Sequence, residues 1–318
     1  MTIQLGIVMD AIATIKPYKD SSFAMLLAAQ ARGWTVWYME LSDLFLRDGV
    51  AYAQMTVIHL IDNKNNWFQL GETRVMPLQH LNVILMRKDP PFNMEYIAAT
   101  YLLEQAEKSG TLVVNKPQSL RDANEKLYTA WFPQCCVATL VTRRIAQLRE
   151  FLQEQQNIVI KPLDSMGGDS IFQVRQGDVN ASVIFEIMTQ HQQKYVMAQR
   201  FIPEITQGDK RILLVDGMPI PYALARIPQL GELRGNLAAG GRGEGVALTE
   251  RDQWICEQVG ATLRDKGLLF VGIDVIGEYL TEINVTSPTC IRELDQLFGL
   301  DIAGMLLDVI TAKLSRLS

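Results

Sequence analysis

Residues 271–284 read Val-Gly-Ile-Asp-Val-Ile-Gly-Glu-Tyr-Leu-Thr-Glu-Ile-Asn. Two apolar runs flank the turn pair Gly277-Glu278, so the stretch predicts a β-hairpin. Glu282 and Asn284 stand two apart on the second strand and share a face. Asp274, on the first strand, pairs opposite Glu282 and joins that face if the connection has odd length or a bulge intervenes. Such a face gathers hard oxygen donors suited to Mg²⁺, with positions left over for phosphate oxygens and water. The same letters also fit an ordinary hairpin whose polar groups turn to solvent, and only the rest of the chain separates the two.

The chain has 318 residues, 48% of them hydrophobic and 20% charged. That is a globular composition with length enough for two or three packed layers. A formal net charge of −5 argues against a broad basic face for nucleic acid while leaving room for a local cationic pocket. The opening Met-Thr-Ile-Gln-Leu-Gly-Ile-Val has no basic leader and reads as a first strand, not a signal peptide. No apolar stretch approaches the length of a membrane span. Four cysteines (Cys135, Cys136, Cys256, Cys290) show neither metal-ligand spacing nor a disulfide framework. Three scattered histidines sit in no motif. The chemistry must therefore rest on Lys, Arg, Asp, Glu, Asn and backbone amides.

Working back toward the N-terminus, residues 3–9 form an apolar run ending at Asp10. Asp20-Ser21-Ser22 offers caps for a helix that Arg32-Gly33 stops. Val36–Met39, Val83–Arg87 and Leu112–Asn115 read as further strands, with a helix from Tyr96 to Lys108. Strands alternating with helices predict a parallel sheet with helices on both faces, and ligands in such sheets bind beyond the strand C-termini. Asp10, the Arg87-Lys88-Asp89-Pro90-Pro91 turn and Asn115-Lys116-Pro117 occupy such positions. The region around Trp67, between Tyr52 and Met76, reads as an antiparallel excursion. After residue 121 the composition changes. Residues 122–200 predict a small α+β lobe, and from Arg211 onward the pattern is β-rich, with amphipathic helices at 252–266 and 301–316.

Three further segments carry chemistry. Lys161 ends an alternating strand, Ile158-Val159-Ile160-Lys161, directly before a loop containing Gly167 and Gly168. A glycine pair lets backbone N–H groups approach phosphate oxygens, although a lysine beside apolar residues can equally snorkel to water. Residues 227–245 hold six glycines and two arginines, Arg234 and Arg242. Lying between β-rich segments, this stretch predicts a closing lid that keeps water off a reactive intermediate. Asn284-Val-Thr286-Ser287-Pro288-Thr289 follows the carboxylate strand and offers hydroxyls to a ligand carboxylate or to the next helix. Arg292 adds a cation nearby.

In order along the chain, these signals resemble one family. Met86-Arg-Lys-Asp-Pro-Pro-Phe92, Val114-Asn-Lys-Pro-Gln-Ser-Leu-Arg-Asp122, Asn124-Glu-Lys-Leu127, Ile160-Lys-Pro-Leu-Asp164, Arg234-Gly-Asn-Leu-Ala-Ala-Gly-Gly-Arg-Gly243 and Thr281-Glu-Ile-Asn-Val-Thr-Ser-Pro288 are similar to prokaryotic-type glutathione synthetase, a member of the ATP-grasp superfamily. The similarity covers essentially the whole chain. It implies a mixed α/β and α+β fold. An N-terminal parallel α/β (pre-ATP-grasp) domain, 1–121, is followed by a two-lobed ATP-grasp domain. Its small lobe is 122–200, and its C-terminal lobe is 201–318 with the lid at 227–245.

The resemblance further implies ATP held by Lys126, Lys161, Gly167 and Gly168. The hinge Gln199-Arg200-Phe201-Ile202 would lie against adenine, and Asp209 near the ribose. Asp274, Glu282 and Asn284 would hold two Mg²⁺ ions, with Mn²⁺ as the alternative, and Glu282 between them. Arg211 would steady the transferring phosphoryl group, joined in the catalytic set by the lid arginines Arg234 and Arg242. Arg87, Asp89, Thr286, Ser287 and Arg292 would contact substrate. The implied reaction joins γ-glutamylcysteine to glycine with ATP, in a cytoplasmic homo-oligomer (a tetramer in such a family) that engages neither nucleic acid nor membrane. The glycine loop departs from the family pattern at Ser165 and Asp169. The rivals are an ATP-grasp ligase for another amine, a non-catalytic ATP-binding regulator, and a dinucleotide-dependent dehydrogenase. The last lacks a Gly-x-Gly-x-x-Gly turn after the first strand.

Overall fold

The computed structural model describes residues 2–164, 169–229 and 240–317. The chain opens with β1 (Gln4–Val8), α1 (Ser21–Ala31), β2 (Thr35–Met39), β3 (Leu44–Arg47), β4 (Val50–Leu60), β5 (Phe68–Pro77), β6 (Val83–Met86), α2 (Met94–Lys108), β7 (Leu112–Val114) and α3 (Pro117–Asp122). Local chemistry sets the helix starts. Asp20 Oδ1 accepts from the Phe23 amide at 2.6 Å, and Asn93 Oδ1 accepts from the Tyr96 amide at 3.0 Å, each satisfying an otherwise orphaned donor. The central strands β2, β1, β6 and β7 run parallel. The predicted excursion around Trp67 is the antiparallel hairpin β4–β5, which widens this sheet on one side together with β3.

The next segment contains β8 (Thr139–Thr142), α4 (Ile145–Gln155), β9 (Asn157–Pro162), β10 (Phe172–Arg175), α5 (Ala181–Met188) and β11 (Val196–Arg200). Its four strands form an antiparallel sheet in the order β10-β9-β11-β8. The last segment holds β12 (Asp209–Val215), β13 (Met218–Ile227), β14 (Arg242–Ala247), α6 (Glu250–Asp265), β15 (Phe270–Ile276), β16 (Tyr279–Asn284), α7 (Ile291–Phe298) and α8 (Ile302–Leu317). Its sheet order is β14-β13-β12-β15-β16, antiparallel throughout. Among the described residues no helix is long and apolar enough to cross a membrane.

The cores explain how these layers sit. One core joins Met39, Met55 and Leu103 to Ile212, Ile255 and Ile273; another joins Leu5, Phe23 and Val83 to Leu213, Phe270 and Leu306. The first and last segments thus share their apolar interiors. The middle segment keeps its own, around Leu148, Ile160, Phe185 and Ala198. Asn115 stitches the two large sheets together at the end of β7. Its Nδ2 donates to the carbonyls of Phe270 (2.8 Å) and Val285 (2.6 Å), and its Oδ1 accepts from the Phe270 amide (2.9 Å). The C-terminal ends of β1 and β6 are thereby brought against the β15–β16 hairpin.

Candidate active site

Between these walls lies a cavity of about 500 Å³. The hairpin that forms one wall has a tight two-residue turn, with Gly277 at φ +57°. Ile276 pairs with Tyr279 and Val275 with Leu280; the register then shifts, and Asp274 pairs with Glu282. Thr281 is the extra residue, and its hydroxyl donates to the Asp274 carbonyl at 3.1 Å. Of the two routes open in the sequence, the bulge, not an odd-length connection, puts Asp274 opposite Glu282.

Asp274 nonetheless lies below the cavity surface, only 2% exposed. Arg211, its partner across β12 and β15, forks onto it, with Nε 2.5 Å from Oδ1 and Nη2 2.9 Å from Oδ2. Arg226 from β13 adds a second contact to Oδ2 at 2.8 Å and bonds Asp209 Oδ2 at 2.5 Å. Burial pushes the Asp274 carboxyl up, but Arg211 and Arg226 outweigh it and hold the group well below the usual carboxylate range. Asp209 goes the other way. Burial outweighs Arg226, with Asp274 and Glu282 adding repulsion, and the carboxyl is pushed up to about 7. Its Oδ1 is buried without a hydrogen-bond partner. Both guanidinium groups line the cavity floor.

Glu282, Asn284 and Glu125 line the wall above this floor. Lys126, 2% exposed, is ion-paired with Glu125 and has its Nζ 3.7 Å from Glu282 Oε1. Burial lowers its pKa, but Glu282 and Glu125 together outweigh that, and the net shift is upward. Lys161 reaches across from β9, with Nζ donating to the Thr281 carbonyl at 3.3 Å, and burial lowers its pKa. The alternation that set Lys161 opposite Ile158 and Ile160 thus aims it at the bulge.

The cavity's rim carries Asp89, Thr286 and Ser287. The Ser287 hydroxyl donates to Asp89 Oδ1, the Asp89 amide donates to Asp10 Oδ2 at 3.0 Å, and Asp10 pairs with Lys88 at 2.7 Å. Other expected residues stand apart from the lining. Arg87 is buried behind the rim, bonded to Ser22 Oγ and the Pro288 carbonyl. Arg292 is forked onto Asp62 at 2.8 and 2.9 Å, so its helix presents Glu293 to the cavity instead. Arg242 is an exposed residue of β14 paired with Glu244. Gln199 bonds Thr139, Arg200 lies over the Tyr279 ring, and the Arg200 and Phe201 amides are bonded to Ala138 and Asn157. Asp169 is exposed. Ser165, Gly167, Gly168 and Arg234, with residues 230–239 of the expected lid (227–245), lie outside the described residues, and Arg242–Ala247 form β14.

Arg226 and Glu125 are site residues that the sequence reading passed over. The alternation Tyr222, Leu224, Arg226 puts Arg226 on one face of β13, the signal that could have exposed it. At the N-terminal end, Lys16, Lys19 and Asp20 also face the cavity.

A site of this kind, with buried cations beneath hard oxygen donors, suits phosphoryl chemistry. The profile described as "Prokaryotic glutathione synthetase, N-terminal domain" matches residues 3–121, and that described as "Prokaryotic glutathione synthetase, ATP-grasp domain" matches residues 125–299. The chain belongs to the prokaryotic glutathione synthetase family. It is 60% identical to the glutathione synthetase of Pseudomonas putida over 314 residues, 99% of both chains. It is 58% identical to that of Shewanella oneidensis over 314 residues, 99% of this chain and 100% of the other. Among solved structures it resembles D-cycloserine synthetase DcsG (TM-score 0.69, 15% identity, covering 99% of this chain and 100% of that one). It also resembles the ATP-grasp ligase PsnB (TM-score 0.63, 16% identity, 99% of each); these two likenesses bear on the fold alone. Membership of this family makes the chain an ATP-dependent ligase of the ATP-grasp fold, acting in glutathione synthesis.

Proposed function

We propose that the chain joins the cysteinyl carboxylate of γ-glutamylcysteine to the amine of glycine through an acyl phosphate. A carboxylate oxygen attacks the γ-phosphorus of ATP and ADP leaves. The glycine amine then attacks the acyl carbon, the C–O bond to phosphate breaks, and the amine loses a proton. The observation that carries this reading is the pair Arg211 and Arg226, fixed by Asp274 and Asp209 on the floor of a cavity walled by Glu282 and Asn284. Arg211 spends Nε and Nη2 on Asp274, and its Nη1 takes no part in that fork. Preorganised cations of this kind stabilise developing negative charge without reorganising during the reaction. Lys126, beside Glu282, and Lys161, bonded to the Thr281 carbonyl, meet the same hairpin and would neutralise nucleotide phosphates.

The donor set fits a magnesium ion. Among the described residues no three His, Cys, Asp or Glu side chains form a cage. Mg²⁺ is ordinarily held by one or two carboxylates together with phosphate oxygens and water. Glu282 and Asn284 offer such ligands at the cavity surface. The Asn284 Nδ2 is buried without a partner, so an amide turned to present its oxygen costs no existing Nδ2 bond. Asp274 would contribute from beneath while keeping its arginines. Bound there, Mg²⁺, or Mn²⁺ in its place, would neutralise charge on the β- and γ-phosphates; a second ion would share Glu282.

At the N-terminal end of the cavity, Lys16 and Lys19 beside Asp20 and Glu293 offer charges of both signs to the zwitterionic head of the γ-glutamyl group. Asp89, Thr286 and Ser287 face the middle of the peptide. Arg87 supports this end from behind, and Arg292 through the α7 start. Arg234 would act from the lid and Arg242 from the start of β14, where it pairs with Ile227, and the hinge 199–202 with Asp209 would lie on the nucleotide side. The domain limits of 121 and 200, a cytoplasmic setting for the four free thiols, and a tetrameric assembly complete the reading. The test is ADP release measured with Mg²⁺, γ-glutamylcysteine and glycine, each omitted in turn. Release indifferent to either substrate sinks the proposal, and faster turnover with another amine in place of glycine reassigns the acceptor.

A further inference from the structure

The loop that joins β4 to β5, residues 61–67, supplies none of the residues lining the cavity. It nonetheless grips both elements that carry charge to the cavity's N-terminal end. The loop is internally braced. The Ile61 amide donates to the Trp67 carbonyl at 3.0 Å and closes it. Asn63 Oδ1 accepts from the amides of Asn65 (2.8 Å) and Asn66 (3.2 Å), an Asx turn in its middle. Its base is tied to α1, where the Gln30 side chain exchanges two bonds of 2.8 Å with the backbone of Leu60. Three contacts leave this frame. Trp67 Nε1 donates to the Ile12 carbonyl at 3.0 Å and the Ile12 amide donates to Tyr38 Oη at 3.1 Å, so the stretch leading to Lys16 and Lys19 is pinned from two sides. Lys64 lies over the ring of Tyr18, between those lysines in the chain, 5.7 Å from its centroid. Asp62 accepts both bonds from Arg292 Nη2, at 2.8 and 2.9 Å, beside Glu293 on α7.

We propose that this loop governs substrate choice from outside the cavity. Asp62 and Trp67 are positioning residues that hold Glu293 to the α-ammonium, and Lys16 and Lys19 to the α-carboxylate, of the γ-glutamyl head. The inference rests on the reading that γ-glutamylcysteine is the acid substrate. Glu293 Oε2 is buried without a hydrogen-bond partner, and buried polar atoms are ordinarily paired; an incoming ammonium supplies the missing donor. An exposed ion pair such as Asp62 with Arg292 adds little stability. What it decides here is where a guanidinium points. Freed from Asp62, Arg292 becomes a rival for the neighbouring carboxylate and a repulsive charge toward the ammonium. Trp67 acts on the other side, since without its bond the Ile12 carbonyl no longer fixes the start of the lysine-bearing stretch.

The experiment is steady-state ADP release by the full chain with Mg²⁺, ATP, glycine and either γ-glutamylcysteine or glutaryl-cysteine, the same acid without its α-amine. Thermal melts control for folding. The parent should favour γ-glutamylcysteine in kcat/KM on the order of tenfold or more, the effect of one charge-assisted hydrogen bond. Asp62→Ala should bring that preference to within about threefold by raising KM for γ-glutamylcysteine, with kcat and KM for ATP held. Asp62→Glu keeps the carboxylate and should keep most of the preference. Trp67→Phe keeps the ring and loses only the donor; it should raise KM for both acids a few-fold, because the carboxylate end is common to them. A parent that turns over γ-glutamylcysteine but treats the two acids alike overturns the proposal alone. So does an Asp62→Ala variant as selective as the parent, an unchanged Trp67→Phe, or a loss spread equally over ATP and both acids. A parent that turns over neither acid overturns the underlying activity and the proposal with it.

Discussion

The floor and the rim of the cavity are both built from charged side chains, and they are built oppositely. On the floor, Arg211, Arg226, Asp209 and Asp274 are locked together by sheet pairing, and Arg211, Arg226 and Asp274 are buried. On the rim, Asp10, Lys88, Asp89 and Ser287 come from loops at the ends of β1, β6 and β16 and remain open to solvent. A charge that must act on a transition state gains from fixed, desolvated surroundings, whereas groups that receive a substrate gain from being wet and adjustable. Mutations should therefore cost stability and turnover on the floor, and binding on the rim.

The sharpest way to break this contrast is Arg226→Met. It strands Asp209 and half of Asp274, and losing one member of a buried pair costs about 3–5 kcal/mol. Turnover should fall on the order of 10²- to 10³-fold. Calorimetry and steady-state rates check both, and a stable, active variant would erase the distinction. Next, Glu282→Gln, at the boundary of the two regions, should reduce turnover about 10²-fold while leaving the melting temperature nearly unchanged. A magnesium titration reads its metal dependence, and an unaltered titration would remove Glu282 from the metal set. On the rim, Ser287→Ala should raise KM for the peptide by less than about tenfold with kcat held, the mark of lost uniform binding. A fall in kcat instead would move Ser287 to the floor's company.

The smallest effect is one of pH. Asp209 titrates at about 7 in the fold against an ordinary 3.8, so the native state holds the extra proton between those values. Its contribution to stability is complete below about pH 4 and is lost as the pH rises through 7. Asp274, held low by two arginines, contributes oppositely, losing its share only in strong acid. Urea midpoints from pH 5 to 8 should therefore decline less steeply for Asp209→Asn than for the parent chain.

Much of the rim and wall was legible because it lies in short contiguous words. The Met86–Phe92 and Thr281–Pro288 segments fix Asp89, Glu282, Asn284, Thr286 and Ser287 by local geometry. The parallel quartet and the β4–β5 excursion followed from periodicity for the same reason. The floor was half legible. Arg211 and Asp274 stood out, but Arg226 stands near the end of an ordinary alternating strand, whose period gives its face while the three-strand register gives its partners, Asp209 and Asp274. Arg292 shows the converse. Its partner Asp62 is 230 positions away, and nothing in the letters around either residue announces that pairing. Asn115 read simply as a strand end, because its role depends on two carbonyls from another sheet.

That asparagine has a mechanical consequence. Its three bonds, with the shared cores beneath them, turn the first and last segments into one anvil. The four-stranded lobe, whose apolar interior is its own, is the hammer. Swinging it away breaks polar contacts such as that between Lys161 and Thr281 but splits neither large core. Were that lobe to swing as a nucleotide entered, a few hydrogen bonds would be strained, and the Asp89–Ser287 side of the cavity would keep its register.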